Sequence, residues 1–476
     1  METGLSYDDV LLIPKRSSVK SRKDVSTETR LTKKIKLNMP VVSANMDTVT
    51  ESEMAITMAQ LGGIGIIHRF NTTEEQVMHV QRVKRYRNAI IDKPLTIKPN
   101  YTLCQAKDVM KDNGVTGLLV TNDDNRLIGI LTSRDIRFKP SEETLVSELM
   151  TSKEKLVVGN VGISIEDAKK KLMDNRIEKL PIINEDWTLA GLVTSKDIYN
   201  KTEYPNSSLD EKHRLIVGAA IGVKGDSIDR AEALVKAGVD VLVIDIAHGH
   251  SDLAINTLKE VKEKCPDVEV IAGNVATAEG TKDLIEAGAD SIKIGVGPGS
   301  ICTTRIVTGS GYPQMSAVMN CAKEADKHDV PIIADGGIKI PGDITKAIAA
   351  GASTVMLGNL LAGTEESPGM AFIKNGKRFK VIRGMASFGA KLGREAKEKS
   401  TKDSNDAFEF VAEGVEAVVP YRGSVKEVLA QLIGGFRSGM SYCGATKISE
   451  LRGKADFVKI TAAGARESNS HDVSLV

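Results

Sequence analysis

Eight short apolar segments recur along the chain, and many of the stretches between them have the spacing of amphipathic helices. The apolar segments are Pro40–Met46, Gly63–His68, Leu215–Ile221, Val241–Ala247, Val268–Val275, Ser291–Val296, Pro331–Ile338 and Ser353–Leu360. Strands of a parallel sheet are buried on both faces, so their sequences are nearly continuously apolar and helices connect them. This series predicts an α/β fold, a closed (β/α)8 TIM barrel. A doubly wound sheet is the alternative, but its dinucleotide fingerprint with a downstream acid is missing.

A sequence repeat separates the second apolar segment from the third. Gly129–Ile136 reads Gly-Ile-Leu-Thr-Ser-Arg-Asp-Ile, and Gly191–Ile198 repeats it as Gly-Leu-Val-Thr-Ser-Lys-Asp-Ile. A helix-patterned segment and a short apolar strand precede each copy, which predicts a module of two halves that pack on each other. The predicted domains are a first barrel part at 1–92, an inserted module at 93–203 with repeats at about 97–138 and 157–200, and a second barrel part at 204–476.

Composition narrows the class of protein. The chain has 64 Lys and Arg against 63 Asp and Glu, so no excess of charge indicates nucleic acid or a membrane as its main partner. No apolar segment is long enough to span a bilayer, and the N-terminus lacks the hydrophobic stretch of a signal peptide. The five cysteines are scattered and form no Cys-x-x-Cys pair, which is typical of a reducing compartment. We therefore expect a cytoplasmic enzyme.

A glycine-rich loop with one cysteine follows the sixth apolar segment. Residues 295–305 read Gly-Val-Gly-Pro-Gly-Ser-Ile-Cys-Thr-Thr-Arg. Glycines allow a backbone to approach an anionic ligand closely and to turn its N–H groups toward it. A thiol beside such donors and a cation can have its pKa lowered and become a nucleophile. From the residues alone, Cys302 is either that nucleophile or an inert cysteine in a glycine-rich turn.

Polar and glycine residues follow most of the predicted strands at their carboxyl ends, where barrel enzymes place their active sites. These stretches are Ala44–Thr48, His68–Phe70, Asp245–Gly249, Gly273–Asn274, Asp335–Gly337 and Leu357–Asn359. Backbone N–H groups after the last strands of a barrel commonly bind a phosphate. Gly336, Gly337 and Gly358, together with the Ser300 hydroxyl, fit that use, although each glycine pair also fits an ordinary tight turn.

The cysteine loop resembles the active-site loop of the IMP dehydrogenase and GMP reductase family, and the similarity extends over nearly the whole chain. The resemblance implies that Cys302 attacks C2 of a purine ring. It implies that Asp335 binds the ribose hydroxyls of the nucleotide and that Ser300, Gly336, Gly337 and Gly358 bind its 5′-phosphate. Gly384, Met385 and Ala386 resemble the segment that reads the purine base. The family often has an aromatic residue where this chain has Ile382.

The resemblance also implies sites for a nicotinamide cofactor and a monovalent cation. The cofactor residues are Asp245, Ala247, Arg69 and Asn274, with Arg69 at a position where the family usually has lysine. The cation, K⁺, would be held by carbonyls of Gly297, Gly299 and Cys302 together with Glu467 of a neighbouring subunit. A homotetramer is expected, which paired inserted modules can join into an octamer.

The inserted module resembles a paired CBS (Bateman) domain. In such modules the Thr and Asp of a Thr-x-x-Asp pattern contact purine nucleotides. The corresponding residues are Thr132, Asp135, Thr194 and Asp197. We therefore expect regulation by purine nucleotides, with a folding insert that binds nothing as the alternative.

IMP dehydrogenase and GMP reductase differ in how the cysteine adduct is resolved, and the flap sequence of this chain favours the reductase. The dehydrogenase hydrolyses its cysteine adduct, for which a flap carries an adjacent Arg-Tyr pair that activates water. The flap here, at about 386–420, has Arg394 but no Arg-Tyr pair. The sequence therefore predicts an NADPH-dependent GMP reductase of purine salvage, in which Thr304 and Glu413 relay a proton to the departing ammonia.

Other features resemble the dehydrogenase, so the NAD-dependent conversion of IMP to XMP is the alternative. They are the insert, the stretch Gly363–Gly369 and the tail from Arg466 to Val473. A catalytically silent nucleotide sensor is a third hypothesis. Glu413 also fits an ordinary solvated acid of a loop.

Overall fold

The computed structural model describes residues 3–86, 94–137, 141–390 and 411–470, with the backbone only at residues 196, 197, 200 and 201. The chain forms two compact units. The first comprises Met1–Lys84, Asn206–Asp210 and Leu215–Val476, and the second comprises Arg85–Pro205 and Glu211–Arg214. Within the described ranges, no helix is both long and apolar enough to cross a membrane.

The first unit contains a closed barrel of eight parallel strands, which confirms the predicted fold class. The strands are β1 (Val41–Ser43), β2 (Ile64–Ile67), β3 (Gly218–Ile221), β4 (Val241–Asp245), β5 (Glu269–Val275), β6 (Ser291–Ile294), β7 (Ile332–Asp335) and β8 (Thr354–Leu357). Each observed strand lies inside one predicted apolar segment. Most predicted segments were too long at their carboxyl ends, because the glycines and polar residues there belong to the loops.

A helix follows every barrel strand. The helices are α1 (Ser52–Gln60), α2 (Thr73–Tyr86), α3 (Ser227–Lys236), α4 (Asp252–Lys264), α5 (Ala278–Glu286), α6 (Gln314–Ala325), α7 (Pro341–Ala349) and α8 (Val425–Tyr442). Helix α4 shows why the sequence folds this way: the Ser251 side chain caps its first turn by accepting from the N–H of Ala254. Its buried residues Ala254, Leu258 and Val261 recur at helical spacing and face the barrel.

Further elements surround the barrel. Three small antiparallel sheets are described: Val10–Leu12 pairs with Phe457–Lys459, Thr29–Arg30 pairs with Lys36–Leu37, and Lys377–Arg383 pairs with both Phe372–Lys374 and Glu416–Pro420. Short helices occupy Tyr7–Asp9, Arg22–Asp24, Thr304–Thr308, Asp326–His328, Asn359–Ala362, Ile448–Lys454 and Ala462–Glu467.

A hairpin at Thr29–Leu37 closes the amino-terminal end of the barrel. Its backbone N–H groups at Lys34 and Ile35 donate to the buried carboxylate of Glu269 at 3.1 and 3.2 Å, and the Thr32 hydroxyl donates to the same group. Leu31 and Leu37 pack into the apolar barrel interior. In the described residues, the amino-terminal end of the barrel is therefore closed.

The second unit contains two similar halves. The elements of the first half are Thr96–Ile97, Leu103–Asn113, Gly117–Thr121, Leu127–Thr132, Ser133–Ile136, Val146–Leu149 and Thr151–Ser152. A short helix, Lys153–Lys155, links the two halves. The elements of the second half are Gly159–Asn160, Ile165–Asp174, Lys179–Ile183, Leu189–Thr194 and Ser195–Glu203. The N–H of Leu127 donates to the Trp187 carbonyl at 3.0 Å, and the N–H of Leu189 donates to the Asn125 carbonyl at 3.0 Å. The halves pack on each other through these bonds and a shared apolar cluster.

Candidate active site

The cysteine loop leaves β6 and lies against the end of β7. Gly295 has a φ of 146°, and a side chain there would overlap the carbonyl oxygen of Asp335. The left-handed Gly297 is crowded in the same way by the Arg305 side chain, whose guanidinium donates to the Tyr312 carbonyl at 2.6 Å. These two positions therefore require glycine. The Cys302 side chain that they present is partly exposed.

A hydrogen-bonded chain connects the thiol to a carboxylate. The Thr304 hydroxyl donates to Glu413 Oε2 at 2.8 Å, and Cys302 Sγ lies 3.2 Å from the same hydroxyl oxygen. Because the hydroxyl proton points at Glu413, the oxygen is left to accept from the thiol. The structure thus brings Cys302, Thr304 and Glu413 together in an order suited to proton transfer.

Backbone pairing fixes this chain in place. Cys302 and Gly414 form an antiparallel bridge, in which the N–H of Val415 donates to the Ile301 carbonyl at 3.0 Å. The N–H of Thr303 donates to the Glu413 carbonyl at 3.0 Å. The carboxylate is therefore delivered by a segment more than a hundred residues away in the sequence.

The segment predicted to read the purine base lies beside the same bridge. The N–H of Gly384 donates to the Val415 carbonyl and the Ala386 carbonyl accepts from the N–H of Glu413, both at 3.1 Å. Met385 lies between these two bonds. On the other side, the Arg383 guanidinium donates through Nε to Asp47 Oδ2 at 2.8 Å. Asp47 follows β1, so two loops of the barrel rim hold the segment.

The predicted phosphate glycines lie on the same rim. Gly336 and Gly337 follow β7 with φ of 91° and 81°, and Gly336 faces Pro298 and the N–H of Gly299 in the cysteine loop. Ser300 follows within that loop, while Gly358 begins the short helix after β8. Ile382, which stands where the family often has an aromatic residue, is 1% exposed and offers no polar group there.

A chain of alternating charges crosses the barrel mouth, and sequence reasoning missed its centre, Lys293. The Lys293 ammonium lies 2.9 Å from Asp335 Oδ2 and 3.5 Å from Asp245 Oδ1. Asp245 Oδ2 lies 3.8 Å from Arg69 Nε. Asn274 donates through Nδ2 to Asp335 Oδ2 at 2.9 Å and accepts from Lys293 at Oδ1. The residues predicted to bind the substrate ribose and the cofactor are therefore connected.

This network favours the charged forms of Asp245 and Lys293. Burial raises the pKa of Asp245, but Lys293 and then Arg69 lower it by more, so the pKa lies below its ordinary value. Burial lowers the pKa of Lys293, but Asp335 and Asp245 raise it by more, so the pKa lies above its ordinary value. The signal in the sequence was a lysine inside the apolar strand Ser-Ile-Lys-Ile, because a buried lysine needs a partner.

Ala247 follows Asp245 in an exposed turn that is bonded to the neighbouring strand. The N–H of Gly249 donates to the Asn274 carbonyl at 2.8 Å, and the N–H of Asn274 donates to the Ile246 carbonyl at 3.1 Å. The turn after β4 and the end of β5 therefore form one surface beside the charged chain.

The other predicted residues lie elsewhere. Glu467 is on an exposed helix, Ala462–Glu467, that is distant in sequence from Gly297 and Gly299 of the cysteine loop. The cation site therefore remains a prediction. In the described residues, no group of three or more His, Cys, Asp or Glu side chains is placed to hold a metal ion. Much of the flap, 391–410 with Arg394, lies outside the described residues.

In the second unit, two of the predicted nucleotide contacts bind each other. The Thr132 hydroxyl donates to Asp135 Oδ2 at 2.6 Å, and the Thr132 N–H donates to the same oxygen at 2.7 Å. Thr194 ends the equivalent strand of the second half, and the side chain of Asp197 lies outside the described residues. The nucleotide site of this unit also remains a prediction.

Comparison with known proteins places these features in a family. Residues 4–471 match the IMP dehydrogenase / GMP reductase domain. The inosine-5′-monophosphate dehydrogenase of Nitrosopumilus maritimus is 53% identical over 99% of both chains. The GMP reductase of Leishmania major is 51% identical over 99% of this chain and 97% of its own.

Solved structures show the same relationship. A Trypanosoma brucei GMP reductase variant in complex with guanosine 5′-monophosphate is 48% identical, covers 100% of this chain and 99% of its own, and has a TM-score of 0.92. The Trypanosoma brucei GMP reductase in complex with guanosine 5′-triphosphate has a TM-score of 0.80 at 44% identity, over 97% of this chain and 99% of its own.

Proposed function

Because the chain belongs to the IMP dehydrogenase/GMP reductase family, we propose that it is a GMP reductase that converts GMP to IMP and ammonia with NADPH. The family makes it an oxidoreductase of purine metabolism that uses a nicotinamide cofactor. The chain Cys302–Thr304–Glu413, with bonds of 3.2 and 2.8 Å, supplies the proton relay that this reaction needs. It ends on a carboxylate that can receive the thiol proton and pass it on to an amine leaving group.

The proposed chemistry follows from this arrangement. The Cys302 thiolate bonds to C2 of GMP, and the amino group leaves as ammonia with a proton that Glu413 supplies through Thr304. NADPH supplies a hydride to C2, after which the C–S bond breaks and the thiolate is restored. The balance is GMP, NADPH and two protons to IMP, NADP⁺ and ammonium.

The residues of the rim fit both nucleotides by the chemistry of their side chains. Asp335 accepts hydrogen bonds from the ribose hydroxyls of GMP, while Ser300 and the glycine N–H groups bind its phosphate. Asp245, ionised because Lys293 and Arg69 outweigh the effect of its burial, is an acceptor for a cofactor ribose. Ala247 and Asn274 border the same position.

IMP dehydrogenase is the second candidate, favoured by the 53% identity to the Nitrosopumilus maritimus enzyme. Against it, residues 386–420 contain no Arg-Tyr pair to activate a hydrolytic water. A reductase needs no such water, since its adduct is resolved by hydride. This contrast is the reason for preferring the reductase.

Paired turnover assays on the purified protein test the assignment. We expect NADPH oxidation with GMP, no NADH production from IMP and NAD⁺, and loss of turnover in Cys302→Ala. Cys104→Ala, which removes an exposed thiol of the second unit, is the control and keeps full activity. Production of NADH from IMP without NADPH oxidation by GMP would replace the reductase with the dehydrogenase, and unchanged activity in Cys302→Ala would contradict both.

The proposal extends to ligands and assembly. The second unit is proposed to bind regulatory purine nucleotides through Thr132, Asp135, Thr194 and Asp197, and the complex of a Trypanosoma brucei relative with guanosine 5′-triphosphate supports that ligand class. The assembly is proposed to be a homotetramer or its octamer, with K⁺ at the cysteine loop. Mass photometry with and without ATP, GTP or GMP measures the assembly, and a monomer in all conditions would contradict it.

A further inference from the structure

Lys293 lies at the centre of the barrel mouth, and the proposed chemistry gives it no task. It is 2% exposed and is the third residue of β6. Its three ammonium protons have three acceptors on three other strands: Asp245 on β4, Asn274 on β5 and Asp335 on β7. Every donor of the side chain is therefore used, and every acceptor belongs to the rim.

The two carboxylates around this ammonium serve different ligands in the proposed function. Asp335 faces the ribose of the purine nucleotide, and Asp245 faces the ribose of the dinucleotide. Both are bound by one cation, at 2.9 and 3.5 Å, so a shift of either carboxylate is transmitted to the other through Lys293. Without the cation, two partly buried like charges would repel each other and separate.

We propose that Lys293 is a positioning residue that holds the two ribose-binding carboxylates in register, so that binding of the purine nucleotide and binding of the dinucleotide strengthen each other. The inference rests on the proposed function for the assignment of Asp335 and Asp245 to their ligands. It adds a coupling between the two sites and a residue that carries it.

A second buried lysine shows what a purely structural role looks like. Lys84 is 4% exposed and lies 2.7 Å from Asp240, which immediately precedes β4, the strand that ends at Asp245. It also lies 3.0 Å from Asp210. This ion pair is at the closed end of the barrel, away from the rim. Lys84→Met therefore removes a buried lysine of helix α2 that also binds two carboxylates, without touching the rim, and it is the matched control.

Calorimetric titration of the full-length protein tests the coupling. The dissociation constant of NADP⁺ is measured alone and with saturating GMP, a pair that cannot exchange hydride. In the wild type we expect GMP to tighten NADP⁺ binding about five-fold or more. In Lys293→Met the ratio falls to about one, and in Lys84→Met it keeps the wild-type value. A Lys293→Met protein that keeps the ratio overturns the proposal, as does an equal loss in Lys84→Met or a wild type that lacks the coupling for the ligand pair of the activity found in the turnover assay.

A charge-balanced variant guards against failure to fold. Lys293→Met combined with Asp245→Asn removes one positive and one negative charge together, so the net charge of the site is unchanged and only Asp335 loses its ammonium partner. We expect this double variant to fold with a normal circular dichroism spectrum and still to show no coupling. Coupling in the folded double variant overturns the proposal.

The same titrations with IMP and NADH separate the coupling from the reductase assignment. If the turnover assay identifies a dehydrogenase, the coupling is expected for IMP and NADH and is again lost in Lys293→Met. If the reductase assignment fails, the titrations still test the role of Lys293. If the wild type shows no coupling for either ligand pair, the inference about Lys293 is wrong and the assigned activity is not affected.

Discussion

Cys302 differs from the other four cysteines in its surroundings. Cys265, Cys321 and Cys443 are buried, and burial raises the pKa of each thiol, that of Cys321 to about 11. Cys104 is exposed, but the pKa of its thiol is raised, and the negative charge of Asp108 is the largest cause. A raised pKa leaves less thiolate at neutral pH, and the thiolate is the reactive form.

We therefore expect iodoacetamide at pH 7.5 to alkylate Cys302 first. In the proposed function GMP bonds to this sulfur, so GMP should protect it from the reagent. Cys321, which is buried and whose thiol pKa burial raises to about 11, should remain unmodified until the protein unfolds. Peptide mass spectrometry over time measures the order. Faster labelling of any other cysteine in the folded protein would contradict the argument, and Cys302→Ala should show no labelling that GMP suppresses.

The Thr304 hydroxyl is expected to act in proton transfer as the bridge between sulfur and carboxylate. Thr304→Val keeps the shape and removes the bridge, so we expect kcat to fall by roughly 10²- to 10⁴-fold with a small change in KM. Thr304→Ser retains the hydroxyl and should remain within about ten-fold of the wild type. Steady-state kinetics with GMP and NADPH measure both variants. Equal kcat values for them would show that the hydroxyl carries no proton.

Several site residues could be read from the sequence and one could not. The motif around Cys302 pointed to the thiol, and the strand ends pointed to Asp245 and Asp335. The bond from Thr304 to Glu413 needs the fold, since a bridge between distant segments delivers the carboxylate. Lys293 was missed because a single charge within an apolar strand does not show which residues it binds. Its partners can be identified only once the positions of the neighbouring strands are known.

At the scale of elements, helices α7 and α8 pack closely because α8 has glycines on one side. A side chain at Gly435 would overlap Pro341, and one at Gly439 would come within 2.5 Å of the Thr345 hydroxyl. Gly434, the neighbour of Gly435, faces open space, with nothing within 4 Å of an added Cβ. Adjacent glycines of one helix therefore differ in environment.

These two glycines should respond in opposite ways to the same substitution. Gly434→Ala should stabilise the protein by about 0.5–1 kcal/mol, because alanine is the better helix former and meets no obstacle. Gly435→Ala should destabilise it by about 1–3 kcal/mol through overpacking against Pro341. Thermal melts followed by circular dichroism give both values. Melting temperatures that move in the same direction would contradict this packing.

The elements of the barrel were predictable and their limits were not. Apolar runs located all eight strands, because burial on both faces leaves a strong pattern. The segment Pro331–Ile338 extended past the end of β7 at Asp335, since the following glycines and Ile338 belong to a loop that no hydrophobic pattern separates from the strand. The pairing of Thr29–Arg30 with Lys36–Leu37 had too few residues to be recognised.

At the scale of the whole molecule, both ends of the inserted segment are hydrogen-bonded to other residues of the first unit. Lys84 Nζ donates to the Leu215 carbonyl at 3.1 Å, and Asn38 Nδ2 donates to the Asn206 carbonyl at 2.9 Å. The hydroxyl of Ser207 donates to the Gln60 carbonyl at 3.1 Å. The chain therefore leaves and re-enters the first unit at anchored positions.

Replacement of residues 86–205 by a short glycine-serine linker should accordingly leave turnover of GMP within a few-fold of the wild type. Any effect of ATP, GTP or GMP outside the active site should disappear, because the proposed regulatory site is removed. Initial rates with each nucleotide, for both proteins, measure this. Undiminished regulation in the shortened chain would place the regulatory site on the barrel.

Glu269 holds the hairpin Thr29–Leu37 against the strands and so closes one end of the barrel. In the described residues, the rim at the carboxyl ends of the strands is the side open to ligands. In the proposed function, GMP and NADPH both reach Cys302 from that rim and ammonia leaves across it. The two nucleotides therefore share one face of the barrel with the departing product.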